Sequence, residues 1–232
     1  MKLEKVLDGK NYSGNVRTIT HKDKSIIFHE ESTRVTERLN CFHTKERETI
    51  FWIENYINES SVLWDIGANI GQYGILAAVL HNCKTYFIEP EPHNFTNVCL
   101  NILLNDLAKC EPISIGLSDK IQYNTINLNT DAGQSNNSIE STSVYNHHVW
   151  TDTIDSLISQ GFTAPTHLKI DVDGVELKIL KGATNALRNI ESLLIEVEEK
   201  DEKELLATLK DFKLVSKDKR SLPGLFNYIF EK

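Results

Sequence analysis

Two kinds of hydrophobic pattern alternate along the chain from residue 61 to the end. Runs of four to eight mostly apolar residues are typical of buried strands, and segments with apolar residues every three or four positions are typical of helices that pack on one side. The patterns predict strands at 61–66, 84–89, 110–117, 166–172, 191–197, 212–217 and 225–231, and helices at 72–81, 93–105, 175–187 and 202–210. Elements that alternate in this way form a doubly wound α/β fold, a mostly parallel sheet with helices on both faces.

The pattern changes in two other regions of the chain. Residues 1–60 contain short strand-like runs and one helix at 44–57, and we expect them to form an N-terminal extension that packs on a core domain at 61–232. Residues 121–150 are polar and rich in Asn, Ser and Thr. Because a long structureless loop is uncommon inside a compact domain, we interpret them as an inserted hairpin and loop on the acceptor side of the ligand crevice, with a disordered surface excursion as the alternative.

The first predicted strand runs directly into a glycine turn, in the sequence VLWDIGANIGQYG. In an open parallel sheet this turn is the usual ligand cradle, and a dinucleotide site there follows G-x-G-x-x-G so that backbone amides meet a pyrophosphate. Here Asp65 stands before Gly67 and Gly71, and its negative charge would repel phosphate oxygens at short range. A phosphate-free and preferably cationic ligand is expected, and S-adenosylmethionine fits because it carries an ammonium and a sulfonium.

An acidic residue, Glu89, ends the second predicted strand in the sequence FIEPEP. A carboxylate at this point of the fold accepts hydrogen bonds from both ribose hydroxyls of an adenosine ligand. Enzymes that bind NAD use an acid in the same place, so Glu89 alone does not separate the two cofactors. For Asp65 and Glu89, the alternative to cofactor binding is a structural role as a helix-capping or turn carboxylate. Tyr73 either contacts the cofactor or packs in the core.

Six stretches of the chain form a recognisable set when they are taken in order. They read KERETIFWIENYI, VLWDIGANIGQYG, YFIEPEPHNFTNVCLNILLND, ISIGLSDK, LKIDVDGVELKILKGA and LLIEV, and they extend from about Thr44 to Val197. In these stretches the chain resembles the FkbM family of S-adenosylmethionine-dependent methyltransferases. The resemblance implies a Rossmann-like class I methyltransferase fold whose last strand runs antiparallel, and methyl transfer to a hydroxyl oxygen, frequently on sugars of glycans or secondary metabolites.

The resemblance to the family is incomplete at one catalytic candidate and in two regions of the chain, and it adds two residues to the predicted cofactor site. Many family members carry Glu where Asp173 stands, and the residues before 44 and the insert match poorly, which leaves the acceptor open. Gly116 and Leu117, at the end of the third predicted strand, are expected near the adenine, with core packing as the alternative for Leu117. The cofactor-binding residues that we predict are Asp65, Gly67, Ala68, Asn69, Gly71, Tyr73, Glu89, Pro90, Gly116, Leu117 and Asp171.

The sequence LKIDVDGVE gathers charged residues at the end of the fourth predicted strand. Strand alternation puts Lys169 and Asp171 on one face, with Asp173 next in that series. A sugar hydroxyl is a weak nucleophile, and a positioned base can add roughly 10²- to 10⁴-fold to the rate, so Asp171 and Asp173 are the leading base candidates. Lys169 either holds a carboxylate or, if burial lowers its pKa, acts as the base. Glu176 either caps the following helix or joins this catalytic set.

A metal-assisted arrangement is the other possibility at these strand ends. Asp171 or Asp173, together with Glu196 or Glu198 of the next strand, could bind Mg²⁺ and lower the pKa of a chelated hydroxyl. The alternative for Glu196 and Glu198, a solvated strand end, is the one that we favour. We therefore predict S-adenosylmethionine as the cofactor and assign no metal ligands.

Composition narrows the classes of partner and compartment. A formal net charge of -8 gives no basic surface of the kind that attracts nucleic acid. The start of the chain lacks an apolar signal core, and no apolar run approaches the roughly 20 residues that span a bilayer, so we expect a cytoplasmic protein. Four cysteines without CxxC spacing indicate neither a zinc site nor a disulfide framework. A small-molecule or glycan acceptor is the predicted partner.

Three functions are compatible with the sequence. The leading hypothesis is an S-adenosylmethionine-dependent methyltransferase that acts on an oxygen, with a carbohydrate hydroxyl as the favoured acceptor. The second is a nicotinamide-dependent oxidoreductase on a similar sheet, and the third is a non-catalytic protein that keeps the fold and the S-adenosylmethionine pocket.

Overall fold

A computed structural model describes residues 2–7, 10–127, 146–220 and 222–232 of the chain. Its strands are β1 (Lys2–Leu7), β2 (Lys10–His21), β3 (Lys24–His29), β4 (Val62–Ile66), β5 (Lys84–Ile88), β6 (Cys110–Ile113), β7 (Gly116–Leu117), β8 (Gln122–Asn127), β9 (Asn146–Asp152), β10 (His167–Ile170), β11 (Ser192–Glu198), β12 (Lys213–Lys219) and β13 (Leu225–Glu231). Its α-helices are α1 (Thr33–Asn40), α2 (Arg47–Tyr56), α3 (Gln72–His81), α4 (Pro92–Leu104), α5 (Ile154–Ser159), α6 (Glu176–Lys181) and α7 (Glu202–Thr208).

The central sheet has seven strands in the order β12-β13-β11-β10-β4-β5-β6. Neighbouring strands from β11 to β6 pair in parallel, whereas β13 is antiparallel to β11 and β12. Strand order reverses between β4 and β10, which is the place where open α/β sheets bind ligands. The predicted fold class, a mostly parallel sheet with an antiparallel last strand, is confirmed.

Two hydrophobic cores lie on the two faces of this sheet. Successive residues of β4 belong to different cores, since Leu63 packs with α2 and α3 while Trp64 packs with α5 and α6. This alternation follows from the two-residue period of a strand, and both faces are apolar because helices cover both. It explains why the strands read as continuous apolar runs in the sequence.

Two predicted elements end earlier than their sequence patterns indicate. The single strand predicted at 110–117 divides into β6, an edge strand of the central sheet, and β7, which joins a small sheet with the order β7-β9-β8. The helix predicted at 175–187 ends at Lys181 with Gly182 as its C-terminal cap, and only a short 3-10 turn at Ala186–Arg188 follows. Gly182 packs closely on the chain, since an added Cβ would lie 2.3 Å from the carbonyl oxygen of Ser118.

Strands β8 and β9 of the predicted insert pair antiparallel. Residues 128–145 of that insert lie outside the described residues. The division into an extension at 1–60 and a domain at 61–232 stays a prediction. Across the described part of the chain, no helix combines the length and the apolar character that crossing a bilayer requires.

Asparagines of α4 and its C-terminal cap attach the N-terminal sheet to the central fold. Strand β3 pairs with β2 on one edge and meets α4 on the other. Asn105 accepts a hydrogen bond from the Ile27 N–H at 2.8 Å and donates one to the Ile27 carbonyl at 2.7 Å. Asn101 accepts from the His29 N–H at 2.7 Å and donates to the Ile70 carbonyl at 2.8 Å. Side-chain amides thus satisfy a strand edge that would otherwise be left unpaired.

We expect Asn101→Ala to destabilise the protein by roughly 2–4 kcal/mol, because the part-buried His29 N–H and the carbonyl of the buried Ile70 would each lose the hydrogen bond that they make with Asn101. Urea denaturation at constant pH measures the change. Asn55→Ala is the matched control, since Asn55 is exposed on α2 and its side chain donates a hydrogen bond to the carbonyl four residues before it. Equal midpoints for the two variants would contradict the docking role of Asn101.

Candidate active site

A cavity of about 400 Å³ lies at the carboxyl ends of β4, β5, β10 and β11, where the strand order reverses. The N-terminal segment and the β8–β9 hairpin also contribute to its walls. Its aliphatic lining residues are Ile66, Ile88, Ile115, Leu117, Ile126, Val149, Val172, Val175, Leu222 and Leu225. Charged and uncharged polar side chains cover most of the remaining wall, so the cavity has an apolar part and a polar part.

The glycine turn after β4 is positioned by close backbone contact and by Glu89. Gly67 has φ +73°, and an added Cβ would lie 2.0 Å from the Asp171 carbonyl oxygen, so only glycine fits between the turn and the end of β10. Glu89 accepts hydrogen bonds from the Asn69 N–H at 2.7 Å and the Glu91 N–H at 2.9 Å. Burial raises the pKa of Glu89 to about 7 despite these two bonds.

A buried lysine joins two carboxylates beneath the turn. Lys169 Nζ lies 3.3 Å from Asp65 Oδ1 and 3.1 Å from Asp171 Oδ2. The other oxygen of Asp65 accepts a hydrogen bond from the Gly74 N–H at 3.0 Å, at the start of α3. Asp65 is therefore fully enclosed, whereas the Asp171 side chain is 28% exposed and lines the cavity.

These pairings bear on two roles that the sequence had indicated. Asp65 is absent from the cavity wall, because its charge is used by Lys169 and α3 beneath the turn. Burial alone would lower the pKa of Lys169, but Asp171 and Asp65 raise it above its ordinary value, which favours the protonated lysine. Burial likewise opposes the ionised form of Asp171, but Lys169 and Arg220 hold its pKa below the ordinary value.

A second charged cluster, which the sequence did not predict as a unit, surrounds Arg220. Its guanidinium hydrogen-bonds Glu196 at the end of β11 and Glu46, the N-terminal cap residue of α2, the latter at 2.6 Å. All three side chains are nearly buried and line the cavity. Burial raises the pKa of Glu196 to about 8, and Asp171 adds to the rise while Arg220 opposes it. Because Glu46 and Arg220 are 174 residues apart, no local pattern could have signalled the pair.

The predicted site residues fall into two groups. Eight of them line the cavity: Gly67, Asn69, Glu89, Pro90, Gly116, Leu117, Asp171 and Asp173. The other six, which lie outside its lining, are Asp65, Ala68, Gly71, Tyr73, Lys169 and Glu176. Glu176 accepts a hydrogen bond from the Gly174 N–H at 3.0 Å, which assigns it to the turn, and burial raises its pKa to about 7. Tyr73 is buried, and its hydroxyl has no hydrogen-bond partner among the described residues.

Two of the carboxylates considered as Mg²⁺ ligands lie against cationic side chains. Glu196 pairs with Arg220, and Glu198 lies 2.8 Å from Lys200. Within the ranges that the structure describes, no group of three or more His, Cys, Asp and Glu side chains is arranged to hold a metal ion.

The sheet order, the glycine turn after β4 and the acid after β5 define a methyltransferase-type α/β protein. Two solved structures share the fold. The TYW2 protein of Pyrococcus horikoshii, in complex with MeSAdo, has a TM-score of 0.50 and 13% identity over 95% of this chain and 73% of that one. A ribosomal protein L11 methylase from Lactobacillus delbrueckii subsp. bulgaricus has a TM-score of 0.53 and 10% identity over 82% of this chain and 79% of that one.

The family follows from the sequence itself. The family model described as the methyltransferase FkbM domain matches residues 65–214, so the chain belongs to the FkbM methyltransferases, as its motifs predicted. A curated relative, the hexuronic acid methyltransferase AglP of Haloferax volcanii, is 29% identical over 172 residues, which are 71% of this chain and 69% of the relative. Both findings favour a methyltransferase over the nicotinamide-dependent oxidoreductase that the sequence had left open.

We expect Lys169→Met to destabilise the protein by roughly 3–5 kcal/mol, because two carboxylates would lose their shared cation. Guanidinium denaturation at pH 7 measures the change. Lys213→Met, which removes an exposed ion pair with Glu231, serves as the control and should leave the midpoint almost unaltered. A Lys169→Met protein as stable as the control would mean that the carboxylates do not depend on this lysine.

Proposed function

We propose that the protein methylates an oxygen of a sugar, with S-adenosylmethionine as the methyl donor. The observation that carries the proposal is one cavity at the sheet's switch point, in a chain of the FkbM family, with Glu89 and the carboxylates Asp171, Asp173 and Glu196 in its wall. The name of the relative AglP supports a sugar acid or another carbohydrate as the acceptor class. A hydroxyl oxygen is the acceptor atom that we favour.

The residues present fit the proposed cofactor. Glu89 stands at the end of β5, where its remaining lone pairs can accept from ribose hydroxyls, and Leu117 and Ile115 offer an apolar surface to an adenine. Six carboxyl groups, of Glu46, Glu89, Asp119, Asp171, Asp173 and Glu196, and five cations, of Arg38, Lys45, Lys120, Lys178 and Arg220, line the cavity, so acidic and basic groups are close to balance. A lining with both signs of charge suits the amino-acid portion of S-adenosylmethionine, which carries an ammonium and a carboxylate. When bound, S-adenosylmethionine supplies an electrophilic methyl group.

The three carboxylates of the cavity wall differ in their suitability as a base. Asp171 is a weak base because Lys169 stabilises its ionised form, so we assign it to orientation of the reacting groups. Asp173 is exposed at the turn after β10, and Glu196 is held by Arg220 at the end of β11. We propose that one of these two accepts the proton of the sugar hydroxyl. Because Arg220 already holds Glu196, we propose turnover without Mg²⁺.

Calorimetric titration with S-adenosylhomocysteine, with NAD as the comparison ligand, tests the cofactor. We expect binding of the first ligand alone, and at least tenfold weaker binding in Glu89→Ala, because that carboxylate orders the turn and lines the cavity. Glu59→Ala is the control, since this side chain is exposed far from the cavity wall. If NAD binds instead, the assignment of the glycine turn is wrong.

Transfer of a labelled methyl group tests the reaction, with neutral hexosides and hexuronic acid glycosides as acceptors, each with Mg²⁺ and with EDTA. Alkali releases methanol from a methyl ester but not from a methyl ether, so the product identifies the acceptor oxygen. Cofactor binding without transfer to any of these acceptors would favour the non-catalytic alternative.

Asp173→Asn and Glu196→Gln separate the two candidate bases once an acceptor is found. We expect the variant that lacks the base to bind S-adenosylhomocysteine normally and to lose roughly 10²-fold in kcat. If Glu196 is the base, wild-type kcat rises with pH up to about 8, since the carboxyl must lose its proton, and Glu196→Gln loses that rise. Wild-type kcat in both variants would remove both residues from catalysis.

A further inference from the structure

The β8–β9 hairpin presents different chemistry on its two faces. Gln122, Asn124 and Ile126 of β8, with Val149 and Thr151 of β9, line the cavity. Because side chains alternate along a strand, the residues between them face away from the cavity. The first outward pair is Tyr123 and Trp150, which lie opposite each other in the register.

Tyr123 and Trp150 form an exposed aromatic pair. Their ring centroids are 4.9 Å apart, with an interplanar angle of 77°. Tyr123 is 73% exposed and Trp150 is 42% exposed. A cross-strand pair stabilises a hairpin by roughly 0.2–1 kcal/mol, which does not require so much uncovered ring surface.

Polar groups continue this outward face. The next cross-strand pair is Thr125 and His148, whose Oγ1 and Nδ1 are 3.2 Å apart. The last residue of β9, Asp152, belongs to the same series but is buried and accepts hydrogen bonds from the Thr153 N–H and the Gln160 side chain. No exposed Asp, Glu, Lys or Arg occupies the outward positions of the hairpin side chains that the structure describes, although a quarter of the whole chain is charged. The face therefore suits an uncharged ligand that has both an apolar surface and hydrogen-bonding groups.

The area of the exposed aromatic surface indicates which class of ligand it can bind. At the observed exposures the two rings present roughly 200–300 Å². A stable protein interface needs about 800 Å² from each partner, so this patch is too small for one. A pyranose ring is of the matching size, with a C–H face that packs on an aromatic ring and hydroxyls that reach Thr125 and His148.

We propose that Tyr123 and Trp150 form a carbohydrate subsite for a neutral pyranose of the acceptor glycan, beyond the sugar that enters the cavity. This inference rests on the proposed function, because it takes the acceptor to be a glycan. Strand β8 is an edge strand of its described sheet, so a glycan that leaves the cavity can pass around it from the inner face to the outer face. The subsite would add affinity for longer acceptors without contact with the reacting atoms.

Iodide quenching of tryptophan fluorescence tests the subsite without cofactor or turnover. The chain has three tryptophans, and Trp52 and Trp64 are 0% exposed, so iodide reports on Trp150. Neutral pentasaccharides of α- and β-linked hexoses are the probes, with a hexuronic acid pentasaccharide for comparison. We expect saturable protection of Trp150 by a neutral probe, with a Kd on the order of 1 mM.

Four variants make the test specific to the aromatic pair. Tyr123→Phe should keep the protection, Tyr123→Ala should lose it, and Phe51→Ala, an exposed aromatic of α2, should behave as the wild type. Trp150→Ala, followed by saturation-transfer NMR of the probe, should lose binding as well. All four variants should keep normal S-adenosylhomocysteine binding, which shows that they fold.

The outcomes separate the subsite from the proposed function. No protection by any neutral probe, or equal protection in Tyr123→Ala, would overturn the subsite even if the enzyme methylates glycans. Self-association that Tyr123→Ala abolishes in sedimentation velocity would overturn it in favour of a second copy of the chain. Protection by a neutral pentasaccharide in a protein that methylates no sugar would support the subsite and contradict only the proposed function.

Discussion

The contact on which the rest of the site depends is the burial of Lys169 between Asp65 and Asp171. Lys169 and Asp65 are paired in the register of β10 and β4, so the ion pair joins the two strands at which the sheet order reverses. Taking any one of these charges out of water alone costs several kcal/mol, and the three groups are tolerable only together. Asp65 in turn holds the start of α3 through the Gly74 N–H. The lysine therefore positions both the glycine turn and the Asp171 carboxylate that faces the cavity.

Close packing around this ion pair makes the turn stiff. A Cβ on Gly67 would collide with the end of β10, and a Cβ on Gly74 would lie 2.3 Å from the Phe87 ring and 2.8 Å from Asp65 Oδ2. The glycines are thus required by the approach of protein to protein as much as by any ligand. A cavity wall held this firmly is already organised for binding, which lowers the entropic cost of ordering it.

The N-terminal segment completes the site as well as the fold. Its strand β3 docks on the asparagines of α4, and one of these, Asn101, also holds the Ile70 carbonyl within the glycine turn. Glu46 from the same segment meets Arg220 near the C-terminus. Both connections are polar and buried, so each is satisfied only when the segment sits in one position. The segment therefore closes the cavity in one defined geometry.

The amino-acid sequence by itself determined the class of fold, the family and the position of the cavity. Strand and helix periods are local patterns, and the motifs around Gly67, Glu89 and Asp171 are short and follow one another in a fixed order along the chain. Both kinds of pattern can therefore be recognised from the sequence alone. Charge partners are not local. Whether Asp65 faces a ligand or a lysine depends on the pairing of β4 with β10, a hundred residues apart in the chain. The Glu46–Arg220–Glu196 cluster and the outward Tyr123–Trp150 pair likewise exist only after distant strands meet, because burial and electrostatic partnership are properties of neighbours in space.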